Sequence, residues 1–458
     1  MLIQELVDRF EKKAPMAVMV RAALENALSA ERLDAMFEKH ALRQSNRDLM
    51  FSSVVDIMGL VACRIHPSPH AAFQARAAEM SVNVHALYDK LQRMETNVSR
   101  CLVVETAERM AQIVRHTGGM LPKLLPGYRV KILDGNHLRR TQRRIGELRR
   151  LNAAPLPGHA LAVLDTETRL VIDVFPCEDG HAQERSLLPQ VLETVQVNDV
   201  WIDDRNFSTA DFLLGIRQRG AYFVTRQHAT SPRYELLGKR ACAGRCGTGI
   251  VYEQAVQIFH PDGRSARIRR ITVKLDEPTR DGEREIHILT NLPKKVATAL
   301  RVAELYRHRW KIETAFAEVA QNLEGEIETL GYPKAALFSF CSALVAFNLL
   351  SVVMAALRTA HGVDTVRDDV SVYYMADEVA KTSRGMTIAL PHDYWTKTYA
   401  MLTPAKLAHE LVRIAKTIDL ARYRKHKRGP KKKTERLHKT RRMHVSTARV
   451  LEKARLNR

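Results

Sequence analysis

A chain of 458 residues with a formal charge of +21 has room for about three domains and at least one sizeable core, which excludes a peptide-scale binder. The charge is uneven: residues 421–458 hold sixteen Lys/Arg against two acids, Glu435 and Glu452, leaving +7 for all that precedes them. That balance suits a long polyanion, since each neutralised phosphate releases condensed counterions; a solvated, disordered tail would explain the C-terminal run alone equally well.

The six cysteines, Cys63, Cys101, Cys177, Cys242, Cys246 and Cys341, are scattered and follow no signal peptide, the pattern of reduced thiols in a cytoplasm. Only Cys242 and Cys246 are close in sequence, and one C-x3-C without a second pair is weak grounds for zinc. Residues 335–357 run for 23 residues without a charge, the length of a membrane span. Ser339, Ser342, Asn348 and Ser351 interrupt this run and a charged helix leads into it, so it reads as a buried core helix and no membrane partner is expected.

Residues 1–120 have apolar positions at helical spacing, as in a helical N-terminal DNA-binding region. Within them "AAEMSVNVHALYDKLQRM" (77–94) has the outline of a helix-turn-helix. Ala77 and Ala78 are small enough for close packing, Ser81-Val82-Asn83 would form the turn, and Leu87 and Leu91 would seat a second helix offering Asn83, His85 and Lys90 to DNA. An ordinary helical hairpin fits the same residues, because Ser81 stands where such turns favour glycine.

From Tyr128 the period changes. "YRVKILD" predicts a strand, and "HALAVLD" and "RLVIDVF" flank the polar turn Thr166-Glu167-Thr168 as an antiparallel pair. A helix at about 183–196, the strand "DVWIDD", a helix at about 208–219 and the strand "AYFVTR" follow. Three strands, helix, strand, helix, strand is the order of a ribonuclease-H-like mixed sheet, an α/β fold with helices on both faces. It occupies 121–229 and resumes over 296–360. Between them 230–295 reads as a β-rich insertion carrying "GIVYEQAVQI", "ARIRRITVKL" and "REIHILTNL". A helical C-terminal region (361–420) and the basic tail (421–458) complete the chain.

Two strands end alike. "VKILD" puts Val130, Ile132 and Asp134 on one face, and "VWIDD" does the same with Val200, Ile202 and Asp204, because side chains alternate along a strand. Asp203 has the opposite parity, beside Trp201. A lone Asp after a strand is usually a turn or cap residue; two with one pattern suggest paired carboxylates. In "YRHRWKIETAF" (306–316), read as one helix, Tyr306, Arg309 and Glu313 fall within about 60° of one another, with Trp310 just beyond. They would make a polar wall beside the apolar stripe of Leu305, Ile312, Phe316 and Leu323, unless Arg309 and Glu313 form only an i,i+4 pair. Three carboxylates from two strands and a helix could hold two divalent cations about 4 Å apart, magnesium or manganese suiting hard oxygen ligands. Arg309 and Tyr306 could then meet a phosphate and Trp310 could stack on an unpaired base.

In this ordered set the chain resembles the DDE transposases of bacterial cut-and-paste insertion sequences. That family has an Asp ending the first strand, a second Asp followed by Arg, a β-rich insertion, and a Tyr-x2-Arg-x3-Glu-x6-Lys signature. Here stand "ILDGNHL", "WIDDRNF" and Tyr306-x2-Arg309-x3-Glu313, over about 128–355. The resemblance implies Asp134, Asp204 and Glu313 as catalytic metal ligands, Mg2+ (or Mn2+) as cofactor, and Tyr306 and Arg309 on the transposon-end strand. It also implies double-stranded DNA as partner (terminal inverted repeats and target), a homodimer in the synaptic complex, and a place in the cytoplasm at the nucleoid. One position departs: Ala320 stands where the signature has Lys, and Lys311 points about 160° away from Glu313. The rivals are a decayed or domesticated transposase that only binds DNA, and a nuclease of the same fold.

Overall fold

The computed structural model describes residues 2–279, 282–426 and 444–456. Seven helices lead the chain: α1 (Leu2–Lys13), α2 (Pro15–Ala27), α3 (Ala30–His40), α4 (Phe51–Ala62), α5 (Pro69–Ala75), α6 (Val84–Arg93) and α7 (Thr96–Thr117). The last ends at Gly118, which takes the left-handed conformation that a helix stop favours.

The apolar alternation from Val130 then gives β1 (Arg129–His137), followed by α8 (Gly146–Arg149), β2 (Ala154–Leu156), β3 (His159–Asp165) and β4 (Val171–Cys177). Asp165 closes the β3–β4 turn by accepting from the backbone N–H groups of Glu167 and Thr168. Next come α9 (Leu188–Glu193), β5 (Asp199–Asp203), α10 (Ala210–Gln218) and β6 (Tyr222–Arg226). β1 pairs antiparallel with β3 and parallel with β5, and β5 runs parallel to β6, so this half is the mixed ribonuclease-H-like sheet.

The 230–295 region does not stand apart from that sheet. Its strands β7 (Arg233–Cys246), β8 (Gly249–Phe259), β9 (Ser265–Leu275) and β10 (Glu285–Thr290) extend it, because β10 pairs antiparallel with β6. The full order is β4-β3-β1-β5-β6-β10-β9-β8-β7. β7 was not apparent in the sequence: "RYELLGKRACAGRC" is an edge strand with mostly exposed or half-exposed residues, so no buried face imposes an alternation on it.

Both sheet faces are covered. Leu133, Trp201 and Phe223 pack with Phe212 and Leu213 of α10, whereas Val130, Ile132 and Val200 belong to the larger core built with the N-terminal helices and with α11 (Ala299–Arg307), α12 (Trp310–Asn322) and α13 (Pro333–His361). α13 is long and apolar enough to cross a membrane, and its most apolar stretch is buried inside the protein. The chain continues through α14 (Val363–Asp369), α15 (Val372–Ala389), α16 (His392–Trp395) and α17 (Pro404–Lys416).

Residues 427–443 of the basic tail lie outside the described residues, but its flanks are docked. Tyr423 is buried with its hydroxyl on Glu378, and the short strand β11 (His444–Ser446) pairs parallel with β2 before α18 (Thr447–Leu456) packs on α8. A wholly solvated tail is therefore not what these flanks form.

Asn348, fully buried on α13, accepts from the N–H of Val171 and donates to its carbonyl, each at 2.8 Å. It thereby satisfies the backbone of β4 on the open edge of the sheet. Asn348→Leu leaves two buried backbone groups unpaired and is expected to lower stability by about 2–6 kcal/mol. Denaturant titration reads this directly, and an unchanged midpoint would refute the pairing as a stabilising contact.

Candidate functional site

Parallel pairing of β1 with β5 sets Val130 opposite Val200 and Ile132 opposite Ile202, so both strands deliver an acid at the same end of the sheet. Asp134 lies within β1 on the Val130 face. β5 ends at Asp203, and Asp204 opens the short 3-10 turn Arg205–Phe207. The Tyr306 hydroxyl donates to Asp204 Oδ1 at 3.3 Å, while Arg309 Nη1 lies 3.2 Å from Asp134 Oδ2 and 2.6 Å from Glu313 Oε1. One guanidinium nitrogen is thus shared by Asp134 and Glu313. Asp203 is fully buried, and burial, then Asp204 and Asp134, push its carboxyl well above the usual range, with Thr225 opposing.

The wall is not carried by one continuous helix. α11 stops at Arg307 and α12 begins at Trp310, with His308 and Arg309 in a turn whose N–H groups bond three residues back, to Leu305 and Tyr306, at 3.0 Å each. Such bonding winds the chain more tightly than an α-helix. Arg309 is buried at 6 % exposure, whereas the neighbouring Trp310 is 60 % exposed and its ring lies 4.9 Å from the guanidinium carbon. The i,i+4 pair of Arg309 with Glu313 forms, and the contact of Arg309 with Asp134 comes in addition; only the first could be read from spacing.

The electrostatics follow from burial and crowding. Burial pushes Asp134 up to about 7; Glu313 and Asp204 add to the rise, whereas Arg309 and the N–H of Gly135 oppose it. Burial alone would lower the pKa of Arg309, but Tyr306, Asp204, Asp134 and Glu313 outweigh it and hold the guanidinium charged. Tyr306 is raised by burial and then by Asp204, so its hydroxyl stays a donor.

The support behind these acids was not seen in the sequence. Glu184 accepts a short hydrogen bond from Asn206 and lies 3.7 Å from His137 Nδ1. Its carboxylate sits against Gly135, where any Cβ would collide with it. The glycine after Asp134 in "ILDGNHL" and the Asn two residues after Asp204 in "WIDDRNF" were the available signals: both motifs lean on one distant acid.

The N-terminal candidate residues separate. Asn83 caps α6 by accepting from the N–H of Ala86, and His85 is exposed beside it. Ala77 and Ala78 lie exposed in a 3-10 turn and do not make the close packing expected of them. Lys90 is not free to face DNA as expected: its ammonium donates to the Ser45 and Leu49 carbonyls and to Asn46 Oδ1, and lies 4.7 Å from the Phe37 ring centroid. All three donors are spent inside the protein because Leu87 and Leu91, one turn apart, fix which face of α6 turns inward.

All six cysteines are free thiols, and among the described residues no three His, Cys, Asp or Glu groups stand close enough together to hold a metal ion as they are arranged. The donor chemistry nonetheless fits a hard divalent cation. Asp134 and Glu313 present oxygens to one shared cationic nitrogen, and the burial that pushes Asp134 up to about 7 is a cost that a cation at its oxygens would offset.

Residues 126–339 match the family model of the transposase DDE domain. The matched stretch runs from just before β1 into α13 and takes in Asp134, Asp204, Tyr306, Arg309 and Glu313. The match likens this stretch to the catalytic domain of DDE transposases without distinguishing the Tyr-Arg-Glu-Lys group. No curated protein matches the chain.

Lys90→Ala is expected to lower the thermal midpoint and to weaken binding of all duplexes alike, since it unties the 45–49 loop; His85→Ala should leave the midpoint unchanged. Loss of discrimination between terminal-repeat and random DNA in Lys90→Ala, with unaltered stability, would restore Lys90 as a DNA contact.

Proposed function

We propose that this chain, whose residues 126–339 carry a transposase DDE domain, is an active transposase of an insertion sequence. It cuts at the element's ends to expose 3′ hydroxyls and joins them to target DNA. The observation that carries this reading is the convergence of Asp134, Asp204 and Glu313 with Arg309 and Tyr306 at one end of the sheet.

Asp134, Asp204 and Glu313 are the oxygen donors for magnesium, or manganese in its place. When bound, the metal supplies Lewis-acid stabilisation of charge on the phosphoryl oxygens and activation of the attacking oxygen. Arg309, already fixed between two carboxylates, keeps its charge on the phosphate side of the cleft without having to be reoriented. The Tyr306 hydroxyl has one proton, which either stays on Asp204 and positions that carboxylate or turns to the transposon-end strand. Trp310, exposed beside Arg309, stacks on a base drawn out of the duplex. By the same reading the working unit is a homodimer on two DNA ends, acting in the cytoplasm at the nucleoid.

A DNA-binding protein that has lost its chemistry is the second reading, favoured by Ala320. That residue is exposed on α12, where its carbonyl lies 3.4 Å from Arg64 Nη2, and Arg140 lines the same small cavity. A lysine at 320 would have space, and a charge-assisted phosphate contact contributes about 1–3 kcal/mol.

Asp134→Ala, Asp204→Ala and Glu313→Ala are each expected to abolish magnesium-dependent cleavage and strand transfer on DNA carrying the flanking inverted repeats, while end binding survives. Asp203→Ala should cost much less. A dead Asp203→Ala with an active Asp204→Ala would overturn the assignment, and a wild-type protein that binds ends without cutting them would establish the second reading.

Ala320→Lys is expected to tighten binding to cleaved ends roughly tenfold with no gain on random duplex, as one added contact of that size implies. No change in an active protein would mean that Arg64 or Arg140 already serves the phosphate; a lowered melting midpoint would mean that position 320 belongs to the packing of α12.

A further inference from the structure

Between β1 and β2 the chain makes an excursion that the site described above does not use. Residues 139–150 hold three arginine pairs, Arg139-Arg140, Arg143-Arg144 and Arg149-Arg150, against a single acid, Glu147. All six arginines are exposed, and among the described residues the guanidinium hydrogen bonds of three of them go to neutral oxygens. Arg143 donates to the carbonyls of Leu151 and Asn152, Arg144 to the Gln142 side chain and Arg149 to the carbonyl of Arg144. Those bonds order the side chains without cancelling their charge.

The excursion is a built feature. Ile145 and Leu148 are buried beneath it, Glu326 accepts the backbone N–H groups of Arg139 and Arg140, and the Gln142 N–H donates to the Glu328 carbonyl at 2.8 Å. Glu326 and Glu328 lie in the loop that leaves α12, the helix of Glu313, while the excursion itself begins five residues after Asp134. On its far side β11 pairs with β2 and α18 packs on α8. Arg140 lines a small cavity together with Phe316 and Ala320 of α12, so the excursion lies beside the helix of Glu313.

We infer that residues 139–150 form a track for the phosphate backbone of duplex DNA, holding the double helix beside the carboxylate cleft without reading its sequence. This rests on the proposal that the protein acts on DNA, and it deepens it by assigning where the flanking duplex lies. Guanidiniums spaced along an anchored loop suit a row of phosphates, and each contact that releases counterions steepens the salt dependence of binding.

The test uses the full chain, a random-sequence duplex and EDTA, so that cleavage plays no part. Arg139→Gln, Arg140→Gln and Arg150→Gln are combined, since none of these three side chains makes a guanidinium hydrogen bond among the described residues. A control combines Arg217→Gln, Lys239→Gln and Arg267→Gln, exposed elsewhere. The first variant is expected to weaken binding about 10- to 100-fold near physiological salt and to flatten the log K against log salt slope by about 2–3, whereas lysines at the same three positions should keep the slope. An unchanged slope, or an equal loss in the control, overturns the track while leaving the proposed function standing. Wild-type protein that fails to bind duplex DNA, or binds duplex RNA or phosphatidylserine vesicles more tightly, overturns both.

Discussion

Carboxylates brought together in a poorly hydrated cleft repel one another, and in this protein Arg309 is the cation that makes their convergence tenable. Its buried guanidinium would itself be costly without partners, so the acid cluster and the arginine stabilise each other. Much of the surrounding architecture serves that arrangement. The parallel register of β1 and β5 carries Asp134 and Asp204 to one sheet end, the tight turn between α11 and α12 sets Arg309 inward, and Glu184 braces both strand ends from behind.

The balance is nevertheless incomplete, and this bears on chemistry. Burial holds Asp134 up to about 7 even with the Arg309 guanidinium beside it. A cation entering the cleft would offset that desolvation, and a divalent ion with its anionic substrate would find oxygen donors already gathered. The large apolar core beneath supports this strain: α13, buried along almost its whole length, links the helical N-terminal region to the sheet and spends its one buried amide on the sheet's exposed edge.

The sequence revealed what period and parity can reveal. β3, β5 and β6 lie within a residue or two of their predicted runs, β1 continues three residues past the Asp134 expected to end it, and the strand parity picked Asp134 and Asp204 for the face that meets Tyr306 and Arg309. What depends on tertiary placement was hidden. β7 has no buried face to write a pattern, the break at His308-Arg309 has no proline or glycine to announce it, and Glu184 lies far from the acids it supports. Lys90 shows the limit most plainly: a lysine on a polar helix face looks free until the partner loop, some forty residues earlier, is in place.

The pairing of β11 with β2 joins residues about 290 positions apart in the chain. Closing so long a loop carries an entropic cost that local contacts do not, and contacts of this range form late. During synthesis, β2 and the arginine excursion beside it emerge from the ribosome long before the strand that fastens them. Final ordering of that basic surface is thereby coupled to synthesis of a strand some 290 residues further on, so until then a nascent chain would present its arginines incompletely fastened to whatever polyanion is nearest, including the RNA of the ribosome that is making it.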